Sequence, residues 1–243
     1  MRIGLYSISY LGVWYRGPAL SVEDVIERAR RFGYEGVEID GKRPHGNPVD
    51  MPPARCADLR RRAQDAGVEI YAVAANNDFA SPIPEHRESQ LLYVRELIRM
   101  TPVTNSPDDM LRMIADVGSP HLKACLDAPL AAKQGIASMR ETARSVRGLQ
   151  VLSHFGGEYE RSPDGSVLGQ VRHPDDSLTP EDYYAEFAEG MRDIGYAGFT
   201  GYELCHPLPP IDGAPAGLDF ADRNAELAAE YMRSLDCRLQ IAD

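Results

Sequence analysis

The chain has 243 residues, of which 43% are hydrophobic and 26% charged, and its formal net charge is −11. This profile is typical of a globular protein with one large α/β domain or two small ones. The acidic excess argues against nucleic acid as a partner, and four widely spaced cysteines without a CxxC pair favour a reducing compartment. The chain has a strand pattern directly after Met1, in place of a signal peptide, and no long apolar run. We therefore predict a cytoplasmic protein without membrane contact.

The first hundred residues alternate between buried strands and helices. Ser21 and Asp24 form an S-x-x-D variant of the capping box, apolar residues follow at helical spacing, and Gly33 supplies a C-terminal stop. Strands are predicted at 2–10, 34–40 and 68–77, and helices from Ser21 to Gly33, at about 53–66 and at about 86–100.

The alternation resumes in the second half. Ser106 is a predicted N-cap, with Pro107 at the first helical position and acidic residues after it. Helices are predicted near 106–118, 137–147, 179–195 and 218–236, and strands at 121–130, 149–155 and 198–205. Residues 156–180 are predicted to form a long loop, which we interpret as a lid, a partner-contact segment or a solvent-exposed loop without a functional role.

These elements amount to six strands and seven helices, whereas a (β/α)₈ TIM barrel has eight of each. The defect is local, because two helical patterns meet near Met100–Thr101 without a strand between them. We therefore predict a single TIM-barrel domain over 1–243 that lacks strand 4, helix 4 and strand 5 at this join, through a gap or a deletion. A doubly wound sheet is the rival, but "SYLGVWYRG" after the first strand lacks its G-x-G-x-x-G loop.

Three polar residues end consecutive predicted strands. Asp127, His154 and Glu203 follow "ACL", "LS" and "GY", and strand ends of a barrel converge on one mouth. A mixed oxygen and nitrogen donor set there predicts a site for one divalent metal ion. Taken singly, His154 is better explained as a hydrogen-bonded core histidine, and Asp127 and Glu203 as loop-facing acids. Their occurrence together on consecutive strands favours the metal site.

The motifs "GYEGVEID", "CLDAP", "SHF" and "GYELCHP" resemble, in this order, the xylose isomerase-like TIM barrels. This sugar phosphate isomerase and epimerase superfamily includes D-tagatose 3-epimerase and inosose dehydratase. The resemblance implies one metal ion, manganese first and magnesium, zinc, iron or cobalt as alternatives, held by Glu, Asp, His and Glu. Asp127, His154 and Glu203 match the last three ligands, and Glu203 is also the implied catalytic residue.

This chain departs from the family pattern in three places. The strand that should carry the first metal-binding Glu is absent at the Met100–Thr101 join. Leu130 stands where the family often has a His, and Gly157 stands where it has an Asp, with Glu158 as the nearest acid. With Glu203 as the remaining base, a proton could be taken from one face of a sugar but not returned on the other, so weak or no epimerase activity is predicted.

Further residues could contact a sugar. Aromatic rings can stack on it and polar groups can bond its hydroxyls, although core packing, a turn or a solvated loop explains each of them about as well. The candidates are Tyr6, Trp14, Asn76, Asn77, Glu158, Arg161 and His206.

The function predicted first is a divalent-metal-dependent sugar isomerase or epimerase that abstracts a proton α to a carbonyl through an enediolate. The first alternative is a metal-dependent lyase that cleaves 3-keto-glycosides or C-glycosides, which begins with the same proton abstraction. The second is a non-catalytic or impaired subunit with the same fold. The expected partner is a small sugar or sugar derivative, with self-association or a partner subunit left open.

Overall fold

The computed structural model describes residues 1–75, 81–98, 120, 123–128, 139–170, 180–206, 208, 210–211 and 213–241. Eight strands are present in these ranges. They are β1 (Arg2–Tyr6), β2 (Gly36–Asp40), β3 (Glu69–Ala74), β4 (Ala124–Cys125), β5 (Gln150–Gly156), β6 (Glu158–Arg161), β7 (Val167–Gln170) and β8 (Phe199–Glu203).

Six helices accompany the strands in the described ranges. They are α1 (Val22–Phe32), α2 (Pro53–Asp65), α3 (Pro84–Ile98), α4 (Met139–Ser145), α5 (Pro180–Asp193) and α6 (Leu218–Ile241), with short 3₁₀ turns at Ser7–Tyr10 and Pro48–Asp50. The start of α1 confirms the predicted capping box, because the Ser21 hydroxyl accepts a hydrogen bond from the Asp24 backbone N–H at 3.1 Å. Gly33 ends the helix at a φ of 79°, a left-handed conformation that suits glycine. No described helix combines the length and apolarity needed to cross a bilayer.

Six of the strands form one parallel sheet in the order β3-β2-β1-β8-β5-β4. The first strand pairs with the last, which is how a (β/α) barrel closes. Strands β3 and β4 form the two edges, at the place where a complete barrel would insert two more strands. Over the described residues the sheet is thus a partial TIM barrel, which confirms the predicted fold class. The Met100–Thr101 join lies outside the described residues, and the single domain over 1–243 stays a prediction.

The structure corrects several of the predicted boundaries, and two of the corrections bear on the site. The predicted strand at 2–10 ends at Tyr6, because the chain turns over the sheet there. The hydroxyl of Ser7 accepts a hydrogen bond from the Asp40 N–H, and that of Ser9 accepts one from the Leu204 N–H, both at 2.8 Å. These bonds satisfy backbone donors at the ends of β2 and β8.

The predicted loop at 156–180 contains an antiparallel hairpin of β6 and β7. Its turn carries Gly165 at a φ of 90°, and Tyr159 on β6 is buried against Tyr202 and Tyr231. Burial of this ring anchors the hairpin to the barrel wall. Residues 171–179 of the predicted loop lie outside the described ranges.

The interior beneath the strand ends is filled by Tyr71 of β3. Its ring stacks on Phe199 with a centroid distance of 4.1 Å and an interplanar angle of 7°. The ring lies against Gly4, Gly36 and Gly201, where any added Cβ would overlap it. The register pairs Gly4 with both other glycines, so a row of three glycines across β2, β1 and β8 forms a slot for one aromatic side chain.

Replacing Gly4 by alanine is expected to destabilise the protein by about 1–3 kcal/mol, the usual cost of overpacking. The new methyl group would overlap the Tyr71 ring, which the stack on Phe199 keeps in place. Chemical denaturation of the wild type, Gly4→Ala, Tyr71→Leu and the double variant would measure this effect. In the Tyr71→Leu background Gly4→Ala should cost much less, and an unchanged cost there would contradict the slot.

Candidate functional site

The candidate site lies at the carboxyl end of the parallel sheet. Asp127 follows β4, His154 is near the end of β5, Glu203 ends β8 and Glu38 lies on β2. In the register of β5 and β8, His154 pairs with Gly201 and Gly156 pairs with Glu203. The fold therefore brings polar side chains from four strands to one end of the barrel, among them Asp127, His154 and Glu203, whose role as metal ligands stays a prediction.

Asp127 and His154 are in direct contact. The backbone N–H of His154 donates to Asp127 Oδ1 at 2.6 Å, and His154 Nδ1 lies 3.2 Å from Asp127 Oδ2. Two bonds between neighbouring strands fix the carboxylate relative to the imidazole. The geometry thus joins two of the three residues for which metal binding is predicted.

The backbone just before Asp127 is held by side chains of β5, because β4 has only two residues. Gln150 accepts a hydrogen bond from the Leu126 N–H at 3.0 Å and donates to the Leu126 carbonyl at 2.8 Å. Ser153 donates to the same carbonyl at 2.9 Å. These bonds take over the role of a longer strand and position Asp127.

Glu38 holds the other side of the imidazole. Its side chain is only 2% exposed, and its Oε2 lies 2.8 Å from His154 Nε2. The Tyr6 ring stacks on the imidazole with a centroid distance of 5.4 Å. The sequence analysis did not select Glu38 as a site residue, although its position on a strand of the same sheet could have indicated it.

The pKa of His154 depends on the carboxylates around it. Burial by itself lowers the pKa of His154, but the carboxylates of Asp127 and Glu38 outweigh it and raise that pKa well above the ordinary value. Burial also raises the pKa of the Glu203 carboxyl, an effect that His154 partly offsets. A cluster of three carboxylates around one imidazole attracts positive charge.

The donor atoms also fit a metal ion in their spacing. One atom each from Cys125, Asp127 and His154 lies within 4.8 Å of the others. Ligands at about 2.0–2.3 Å from a tetrahedral ion are separated from one another by roughly 3.3–3.8 Å, so a small adjustment would bring all three onto one ion. Glu203 is outside this group but interacts electrostatically with His154, Asp127 and Glu38.

The predicted sugar-binding residues are distributed unevenly around this centre. Tyr6 lies inside the site as the stacking partner of His154, and Trp14 packs against the core. Glu158 Oε1 lies 3.5 Å from His206 Nε2, so these two candidates are neighbours. Asn76 and Asn77 lie outside the described residues.

Arg161 is not brought to the centre. Its guanidinium pairs with Glu230 of α6 at 2.6 Å, because the β6–β7 hairpin carries it along the outer surface towards that helix. A sugar contact by Arg161 therefore stays a prediction that would require it to leave Glu230.

Solved structures with this fold include sugar epimerases. The D-psicose 3-epimerase of Clostridium cellulolyticum H10, solved with D-tagatose, matches with a TM-score of 0.64 and 16% identity over 97% of this chain and 99% of that chain. An L-ribulose 3-epimerase matches with a TM-score of 0.63 and 14% identity over 100% and 98% of the two chains. A xylose isomerase domain protein of Alicyclobacillus acidocaldarius matches with a TM-score of 0.59 and 16% identity over 99% of each chain.

No protein-family profile and no curated protein matches this chain. At identities of 14–16%, the structural matches establish the fold. The chain thus has the fold of the xylose isomerase-like barrels, and the resemblance in its motifs is confirmed at that level.

Proposed function

We propose that this protein is a divalent-metal-dependent sugar isomerase or epimerase, which starts its reaction by removing a proton α to a carbonyl. The observation that carries the proposal is the contact of Asp127 with His154 at the carboxyl end of the sheet. Barrel enzymes place their chemistry at this end. The epimerases among the structures with the same fold support the substrate class.

Asp127 and His154 would hold the metal ion, with Glu203 on the neighbouring strand as a further ligand. Bound there, the ion would polarise the carbonyl and hydroxyl oxygens of a ketose and so lower the cost of the enediolate. Glu38 would keep the imidazole in a fixed orientation through Nε2, which leaves Nδ1 on the side of Asp127. A carboxylate behind a metal-binding histidine commonly has this role.

Glu203 would act as the base on the substrate carbon. Its side chain is half-buried, and burial raises the pKa of its carboxyl, which favours its use as a proton acceptor. The second glutamate implied by the family resemblance has no counterpart in the sequence, which carries no strand pattern at the Met100–Thr101 join. We therefore infer that proton removal occurs readily on one face of the sugar and that net epimerisation is slow.

The function can be tested by proton exchange. The metal-loaded protein is incubated with a ketohexose such as D-fructose in deuterated water, and the proton NMR signals α to the carbonyl are followed. We expect one α proton to be lost faster than the C3 epimer appears. Boiled protein and protein treated with a chelator are the controls. A metal-loaded, folded protein that exchanges no α proton of any ketose offered would contradict the proposal.

A lyase acting on 3-keto-glycosides is the second candidate, and the single implied base favours it. An elimination needs one proton removed α to the carbonyl, and the departing aglycone carries away the electron pair, so no second base is required on the opposite face. Release of the aglycone from a 3-keto-glycoside, without exchange on simple ketoses, would identify this reaction. Failure of both assays would favour a non-catalytic subunit.

Cellular location and assembly stay predictions. No disulfide joins the described cysteines Cys56, Cys125 and Cys205 to one another, and a reducing cytoplasm stays the predicted location.

A further inference from the structure

The side chain of Cys125 lies on the same side of the chain as Asp127, two residues later. Its Sγ is 3.8 Å from Asp127 Oδ1 and 3.9 Å from His154 Nδ1. Together with the 3.2 Å between His154 Nδ1 and Asp127 Oδ2, these distances describe a compact triangle of three groups, namely the thiol, the imidazole nitrogen and the Asp127 carboxylate, whose two oxygens face one partner each. The two distances from Sγ lie at or just above the upper end of the roughly 3.3–3.8 Å that separates ligands of one tetrahedral ion, and the nitrogen–oxygen distance lies just below the lower end.

The imidazole presents the correct nitrogen to this triangle. Glu38 holds Nε2 at 2.8 Å, so Nδ1 is the nitrogen that faces Sγ and the Asp127 carboxylate. The stacked Tyr6 ring restricts rotation of the imidazole out of this position. All three donor groups are thus oriented before any ion arrives.

We propose that Cys125 is an additional protein ligand of the metal site, beside Asp127, His154 and Glu203, and that its sulfur shifts the preference of the site from manganese towards zinc and cobalt(II). This inference rests on the metal site of the proposed function. In the family resemblance a glutamate on the missing strand is the additional ligand, and manganese suits an all-oxygen and imidazole set. A thiolate is a soft ligand that zinc and cobalt(II) accept readily.

A cysteine side chain without a bound metal is mainly a neutral thiol at pH 7. As the sulfur–metal bond forms, the S–H bond breaks and the proton leaves to the buffer. The positive charge of the ion would then compensate the negative charges of the thiolate and of the Asp127 carboxylate. Metal binding through Cys125 should accordingly release one proton that binding through Asp127 and His154 alone does not.

The test is cobalt(II) titration of the whole chain, stripped with a chelator and kept under a phosphine reductant without oxygen. Thiolate bound to cobalt(II) gives a near-ultraviolet charge-transfer band, which oxygen and nitrogen ligands do not give. We expect this band at one ion per chain in the wild type and in the control Cys56→Ser, whose thiol lies on α2 away from the site. Cys125→Ser should lose the band and bind zinc at least about tenfold more weakly, while its manganese affinity changes little.

The outcomes separate this inference from the proposed function. If wild-type protein binds one cobalt ion that His154→Ala abolishes, but shows no charge-transfer band, Cys125 is not a ligand and the metal site stands. If the wild type binds neither cobalt nor manganese, both the ligand assignment and the metal-dependent function are wrong. Because the first result comes from the wild-type spectrum, it does not depend on the folding of Cys125→Ser.

Discussion

His154→Ala is expected to abolish tight binding of the divalent ion. The imidazole supplies Nδ1 beside Asp127 and is held from behind by Glu38, so its removal takes away a ligand and the group that separates the two carboxylates. Loss of an outer partner of a metal-binding histidine costs about 10–100-fold in affinity, and loss of the ligand itself should exceed this. Elemental analysis of dialysed protein would report about one ion per wild-type chain and none in the variant.

Two further variants make this result specific. Asp127→Asn preserves the shape of the side chain and an oxygen for the His154 N–H, and it should also lose the ion. His86→Ala, at an exposed position on α3, should retain it. An ion at 100 times its dissociation constant stabilises the native state by about 2.7 kcal/mol. Added metal should therefore raise the unfolding temperature of the wild type and of His86→Ala, but not that of His154→Ala or Asp127→Asn. A folded His154→Ala that keeps the ion would disprove the assignment.

Glu203→Gln is expected to reduce the rate of α-proton exchange by about 10²–10⁴, the usual contribution of a general base. The amide keeps the size of the side chain and one oxygen that can face the ion, but it cannot accept the proton. Its control is Glu186→Gln, which changes an exposed carboxylate on α5. Exchange rates in deuterated water and metal content should be measured on the same preparations.

The metal content decides how the rate is interpreted. Full metal occupancy with a lost exchange rate identifies Glu203 as the base. Loss of both would show that Glu203 is required as a ligand and would leave its role as a base unproved. A Glu203→Gln protein that exchanges α protons at the wild-type rate would remove this residue from the mechanism.

Local signals in the sequence predicted the helices and the main strands well. The Ser21–Asp24 box and Gly33 define α1 through contacts within a few residues, and such contacts are visible in the sequence. Asp127 and His154 could be paired in advance because parallel strands of one barrel end at a common face. The approach of a strand-end acid to a strand-end histidine follows from topology alone.

Contacts between distant residues could not be predicted in this way. The bond between Glu38 and His154 joins positions 116 residues apart, and the pairing of Arg161 with Glu230 spans 69 residues. The glycine slot around Tyr71 depends on the relative register of three strands, which no single segment of the sequence specifies. The β6–β7 hairpin was missed because its two strands are short and its stabilising contact is one aromatic ring against α6 and β8.

The short edge strand β4 has a consequence for the energetics of ligand binding. Asp127 is attached to a strand of two residues, and its place depends on side chains of β5 rather than on a full hydrogen-bond ladder. An edge of this kind opens locally at a lower free energy than the centre of the sheet. A ligand bound by both Asp127 and His154 would hold β4 against β5 at that edge. Its measured affinity would include the free energy of closing the edge, so a substitution that merely stiffens β4 should tighten binding without touching the ligand.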